Sequence, residues 1–146
     1  MSELRPFHLA IPVRDIAGTR KFYVDVLGCS IGRESKTWID FNFFGHQLTA
    51  HVKPDELVQT GTNPVDGENV PVRHFGLVLD RDDWHAFSAK LSGTGMNFLI
   101  KPGIRFQDQI GEQATMFIED PSGNVIEFKS FMNDASLFAV EHELIE

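Results

Sequence analysis

At 146 residues and 42% hydrophobic content, the chain is sized for one packed domain and would struggle to fill two independent cores. Thirteen basic against twenty-one acidic residues leave a formal charge of -8 with no Lys/Arg cluster, which excludes nucleic acid and anionic membrane as partners. The one cysteine, Cys29, excludes an intrachain disulfide and a thiolate-only zinc site, so any metal must rest on His and carboxylates.

Residues 1–5 carry no apolar signal core, and no apolar run is long enough for a bilayer helix; a soluble, cytoplasmic protein is the expectation. Phe7 to Val13 alternates as a strand, with Phe7, Leu9, Ile11 and Val13 on one face and His8, Ala10 and Pro12 on the other. A helix should follow, N-capped by Asp15, with Ile16, Phe22, Tyr23, Val26 and Leu27 as its apolar stripe and Gly28 to stop it. Strands rich in Trp and Phe come next, around Thr37 to Phe44 and Gln47 to Val52, joined through Gly45-His46. The segment Lys53 to Val72 reads as a connecting loop.

Arg73 to Leu79 repeats the opening alternation, placing His74, Gly76 and Val78 on one face. Asp82 is the expected cap of a second helix with the stripe Trp84, Phe87 and Leu91, ended by Ser92-Gly93. A strand at Asn97 to Ile100, a loop from Lys101-Pro102-Gly103, and paired strands Thr115 to Glu119 and Asn124 to Lys129 complete the repeat. The expected organisation is an α+β domain over 1–146, with βαβββ modules at about 5–53 and 70–131 and a tail at 132–146. Phe131, Leu137, Phe138 and Val140 suggest a short docked helix in the tail, and Glu141 to Glu146 are expected to fray. Each half has a sheet with one uncovered face, so the two should pair around a shared interior.

Three polar side chains stand out on the uncovered faces. His8 and His74 occupy the same position in the two repeats, and Glu127 projects from the last strand on the face of Val125 and Lys129. Burying them unpaired would be costly, and a bound cation removes that cost. Two imidazoles and one carboxylate leave open coordination positions, which favours one divalent ion, iron(II) first, with zinc, manganese or nickel as alternatives. His51 shares a face with Gln47 and Thr49; it is a fourth ligand, an acid/base group near the metal, or a spectator. Four steps from Gly123 reach Glu127, and four steps from Gly45 reach Thr49, so Thr49 is the gapless equivalent of Glu127. Trp38, Phe43 and Met116 would line the cup if they face inward, against the plainer reading that they are core. Arg105 and Gln107, in the loop after Pro102, would meet an anionic or oxygen-rich substrate. His46 and His85 read as exposed, His142 lies in the acidic tail, and Cys29 reads as a small packed residue.

The pattern Phe22-Tyr23 then Val26-Leu27-Gly28, the histidine opening each module, and above all Asp120-Pro121-Ser122-Gly123-Asn124-Val125-Ile126-Glu127 resemble the vicinal oxygen chelate superfamily, from Phe7 to about Lys129. That superfamily groups glyoxalases, extradiol ring-cleaving dioxygenases, epimerases and antibiotic resistance proteins. The resemblance implies two modules forming a cupped, incomplete barrel around a metal held by His8, His74 and Glu127, and a homodimer. Glyoxalase-type members typically use four protein ligands with a carboxylate or amide from the first module, where this chain offers Gln47, Thr49 or His51 and no acid. Extradiol dioxygenases use two His and one Glu. The resemblance therefore points to an extradiol-type dioxygenase acting on a small catechol-like substrate; the alternatives are a glyoxalase-like lyase or isomerase, and a metal-independent antibiotic-binding protein.

Overall fold

The computed structural model describes residues 3–140. The chain divides into two compact units, residues 1–59 with 120–124 and residues 60–119 with 125–146. Each contains one βαβββ module and one four-stranded sheet, and neither sheet closes into a barrel. The α+β class expected for the chain is the one observed.

In the first unit β1 (His8–Val13) leads to α1 (Ile16–Arg20), then β2 (Ser30–Glu34), β3 (Trp38–Phe43) and β4 (His46–Val52). The sheet order is β1-β4-β3-β2, with β1 parallel to β4 and the other pairs antiparallel. Asp15 caps α1 as expected, its Oδ1 accepting from Gly18 N at 2.6 Å. The helix then widens into a π-helical segment, Lys21–Val26, before Leu27 and a left-handed Gly28 (φ 81°) release it. That widening turns Phe22 and Tyr23 inward together. Tyr23 stacks on Phe41 with ring centroids 5.0 Å apart and meets Phe43 edge-on, over a sheet face made of Val13, Ile39, Leu48 and Ala50. Burying side chains of this size is worth about 2 kcal/mol each.

The loop Asp120–Asn124 belongs to this unit and is stitched to it. Tyr23 Oη donates to Asp120 Oδ2 at 2.9 Å, Asn124 Nδ2 donates to the Pro12 carbonyl at 2.9 Å, and Arg14 N donates to Ser122 Oγ at 2.8 Å. Asp120 Oδ1 also accepts from the backbone of Ser122 and Asn124, closing the turn on itself. Burial, and then the Asp120 carboxylate, push the Tyr23 phenol well above its ordinary value, so it stays a donor. Tyr23→Phe should therefore lower unfolding stability by about 1–2 kcal/mol, because Asp120 keeps its other donors. Urea titration checks it, and an unchanged midpoint would show that the phenol hydrogen bond contributes nothing net.

The second unit opens with a hairpin, β5 (Thr62–Val65) and β6 (Glu68–Pro71), turned by Asp66 and Gly67, both with positive φ (49° and 80°). The expected structureless connection is corrected here: Asp-Gly is the two-residue turn that hairpins prefer. β7 (Phe75–Val78), α2 (Arg81–Ser92), β8 (Ile100–Arg105), β9 (Gln113–Glu119) and β10 (Val125–Phe131) follow, in the order β7-β10-β9-β8. Asp80 caps α2, not Asp82: Asp80 Oδ1 accepts from Asp83 N at 2.8 Å, and Asp82 falls in the first turn, where its charge suits the helix dipole. Trp84, Ser88 and Leu91 are the buried stripe, and Trp84 Nε1 donates to the Phe128 carbonyl at 2.8 Å. Lys101-Pro102-Gly103 lies inside β8 and not in a loop, since a register shift between Ile100 and Gly103 accommodates the proline.

The docked tail helix is replaced by a single 3-10 turn, Asp134–Ser136, with Phe138 88% exposed; Phe131 is the last residue of β10. The fraying expected of Glu141 to Glu146, and His142 with it, lies outside the described residues. No described helix is long and apolar enough to cross a membrane.

Candidate functional site

In the second unit, alternation along β9 and β10 sends Ala114, Met116, Ile118, Ile126 and Phe128 toward α2 and leaves Thr115, Phe117, Glu127 and Lys129 on the other face. Glu127 lies opposite Gly76 on β7, two residues beyond His74. His74 Nε2 stands 3.4 Å from Glu127 Oε1, the Thr115 hydroxyl donates to Glu127 Oε2, and Lys129 Nζ is 4.0 Å from Oε1. The Glu127 side chain is only 11% exposed.

The other ring nitrogen settles the tautomer. His74 Nδ1 lies 2.6 Å from the Pro71 carbonyl, which can only accept, so Nδ1 carries a proton. Nε2 then meets the carboxylate either as an imidazolium N–H or as a bare lone pair facing an anion. The His74 pKa lies above its ordinary value, chiefly through the Glu127 hydrogen bond, with partial burial working the other way. For Glu127, burial is the largest single influence and would raise the pKa; the His74 and Thr115 hydrogen bonds with the Lys129 and His74 charges outweigh it and bring the carboxyl below its ordinary value.

The pair fits a divalent ion. Donors at about 2.1 Å from a shared ion, subtending about 90–110°, stand about 3.0–3.4 Å apart, which brackets the observed separation. The Pro71 carbonyl supplies the outer hydrogen bond that metal-bound histidines commonly make. Among the described residues no group of three or more His, Cys, Asp or Glu gathers closely enough to hold a metal, so the structure brings together two of the three expected ligands.

His8 is in the first unit, exposed, on the sheet face away from α1. That face carries Ala10 and Pro12 from β1, Gln47, Thr49 and His51 from β4, and Trp38, Asp40 and Asn42 from β3. Thr49 lies opposite Ala10, as Glu127 lies opposite Gly76, so the register makes Thr49 the counterpart of Glu127 and His51 that of Lys129. His8, Trp38 and His51 line a cavity of about 330 Å³ with Arg33, Asp40, Gln47 and Thr49.

Asp40 is the residue that the sequence reading missed. It is 6% exposed, accepts from Thr49 Oγ1 at 2.6 Å and Gln47 Nε2 at 3.5 Å, and stands 3.6 Å from Arg33 Nε. A search for an acid along β4 alone passes over it. The signal was one strand away, in the alternation Trp38, Asp40, Asn42 against Ile39, Phe41, Phe43.

Other expectations are redrawn. Phe43 is 4% exposed against Tyr23, and Met116 is fully buried beneath α2, so neither shares the face of its module's polar cluster. Arg105 is not in a solvated loop: it ends β8 at 8% exposure and, with His74, Glu127, Gln113 and Lys129, lines a cavity of about 180 Å³. Gln107 is exposed and does not line that cavity. Cys29 is packed, and burial pushes its thiol up to about 11.

Comparison with known proteins places this geometry in a family. The profile of the glyoxalase/bleomycin resistance protein/dioxygenase superfamily matches residues 5–128. The chain is similar to the crystal structure of a glyoxalase/bleomycin resistance protein/dioxygenase from Alicyclobacillus acidocaldarius, with 33% identity and a TM-score of 0.79 over 94% of this chain and 100% of that one. It shares the fold of a lactoylglutathione lyase from Agrobacterium tumefaciens (14% identity, TM-score 0.63, 96% of this chain and 100% of that one). The same holds for a genomically encoded fosfomycin resistance protein from Listeria monocytogenes (12% identity, TM-score 0.63, 93% and 98%). No curated protein matches the chain. With a family profile spanning most of its length and a solved relative at one-third identity, the chain belongs to the glyoxalase/bleomycin resistance protein/dioxygenase superfamily.

Proposed function

We propose that the chain is a divalent-metal-dependent enzyme of this superfamily that holds one ion through His8, His74 and Glu127 and acts on a small catechol-like substrate as an extradiol-type dioxygenase. The observation that carries this reading is the fixed His74 tautomer, which aims Nε2 at Glu127 across 3.4 Å. The resemblance in residues 120–127 and the matching register of His8 and His74 support adding His8. When bound, the ion supplies Lewis acidity toward vicinal oxygens and, as iron(II), redox chemistry with dioxygen.

The chain's own groups do the rest. The Pro71 carbonyl holds the His74 ring, and the Thr115 hydroxyl engages the outer oxygen of Glu127, so both ligands are oriented before anything binds. Trp38 offers an aromatic wall, and His51, exposed beside it, is the acid/base candidate that takes or returns the substrate's hydroxyl proton. The enzyme is expected to act as a homodimer, read by sedimentation as twice 16.5 kDa.

A glyoxalase-like lyase or isomerase is the second reading, and Asp40 is what favours it: a buried carboxylate on the face of His8 is the kind of group that a proton shuttle needs. Loaded with iron(II), the protein should take up oxygen and yield a yellow ring-fission product from a catechol. Turnover of a glutathione hemithioacetal under nickel or zinc, with no ring-fission product from any catechol, would replace the first reading by the second.

A further inference from the structure

Arg105 is a buried cation with no counter-ion among the described residues. Its Nη2 donates to the Val65 carbonyl at the end of β5, its guanidinium lies 5.7 Å from the Phe106 ring centroid, and its buried Nε has no hydrogen-bond partner among the described residues. Among the described residues no carboxylate forms an ion pair with it. A guanidinium taken out of water in this way is strongly unfavourable until a counter-charge arrives. The side chain is nevertheless held in place. Phe106 N donates to Asp66 Oδ2 at 3.0 Å, so the β5–β6 hairpin holds the end of β8 at two points, the Arg105 guanidinium and the Phe106 backbone.

The cavity that Arg105 lines also carries Lys129 and Gln113. Its one carboxylate, Glu127, is already engaged by His74 and Thr115. Lys129 stands 4.0 Å from that carboxylate, so of the cavity's two cations Arg105 is the one for which no carboxylate partner is found among the described residues. A planar carboxylate matches the guanidinium fork, with Lys129 as a second point charge.

We propose that Arg105, with Lys129, is the recognition site for a carboxylate on the substrate, which makes that substrate a small organic acid. Its reacting oxygens are placed at His74 and Glu127 only if the proposed metal function holds, and to that extent the substrate class rests on that reading. The anion site itself needs no metal.

The test uses metal-free protein and two probes of the same shape, benzoate and neutral benzamide, followed by two-dimensional NMR with the arginine Nε–H signals in view. Wild type should bind benzoate about ten-fold more tightly than benzamide, with the Arg105 Nε–H signal shifting. Arg105→Gln should remove the preference, Arg105→Lys should keep part of it, and Lys129→Gln should reduce it, so the result does not hang on one variant folding. Equal binding of the two probes by wild type, or a preference that survives in Arg105→Gln, overturns the proposal and leaves Arg105 as a strut for the hairpin. Zinc titrated into a second portion of each metal-free protein separates the two claims: stoichiometric zinc binding with no benzoate preference sinks the anion site alone, and a benzoate preference with no zinc binding sinks the metal reading alone.

Discussion

Gly76→Ala should cost the protein its second sheet. A Cβ at Gly76 would stand 1.6 Å from the Glu127 carbonyl oxygen and 2.6 Å from its carbon, and both are backbone atoms of the paired strand, so no side chain can swing aside to make room. Overpacking of a well-fitted interior typically costs about 1–3 kcal/mol, and a collision with backbone belongs at or above the top of that range. The expected result is insoluble protein, or a denaturation midpoint lowered by at least about 3 kcal/mol of stability. Gly61→Ala is the control, because nothing lies within 4 Å of a Cβ there, and it should change stability by less than about 1 kcal/mol. Because the same contact sets where Glu127 sits, any Gly76→Ala protein that folds should also bind metal poorly. A Gly76→Ala protein with the wild-type midpoint would mean that β7 and β10 are not in the register described.

The second large effect concerns His74 and Glu127, the proposed ligands. His74→Ala or Glu127→Ala should weaken divalent-metal binding by at least about 100-fold, and Thr115→Val by about 10-fold, since the hydroxyl only orients the carboxylate. Titration with zinc followed by calorimetry reads both. The pH dependence follows from the raised His74 pKa: a raised value means a proton is held more tightly on the same Nε2 that a metal needs. Apparent affinity should therefore fall as pH drops through that raised pKa, starting above the ordinary imidazole value, by about ten-fold per pH unit. Thr115→Val matching wild type across this range would remove the hydroxyl from the account.

Much of this was legible in the chain because strand alternation is a strong signal. The period-2 pattern at Phe7 to Val13 and Arg73 to Leu79 set the repeat, and the observed pairing of Ala10 with Thr49 and of Gly76 with Glu127 agrees with the count from the turn glycines. What escaped was whatever depends on a neighbouring strand. Asp40 gains its meaning only beside Thr49, and Arg105 only beside Val65 and Lys129. Phe43 and Met116 show the converse: an aromatic or a methionine on a strand goes wherever its parity sends it, and here both parities lead under a helix. Asp66-Gly67 was a strong hairpin signal hidden by weak flanks, because Thr62–Val65 and Glu68–Pro71 are short and largely polar and carry little apolar alternation.

The proposed function requires His8 to share an ion with His74 and Glu127, so the decisive measurement is the metal content of wild type against His8→Ala after dialysis at a fixed free-zinc concentration. One ion per wild-type chain, and its loss in a His8→Ala protein with an unchanged denaturation midpoint, is the predicted result. A His8→Ala protein that still retains one ion at wild-type affinity would contradict it and confine the site to His74 and Glu127.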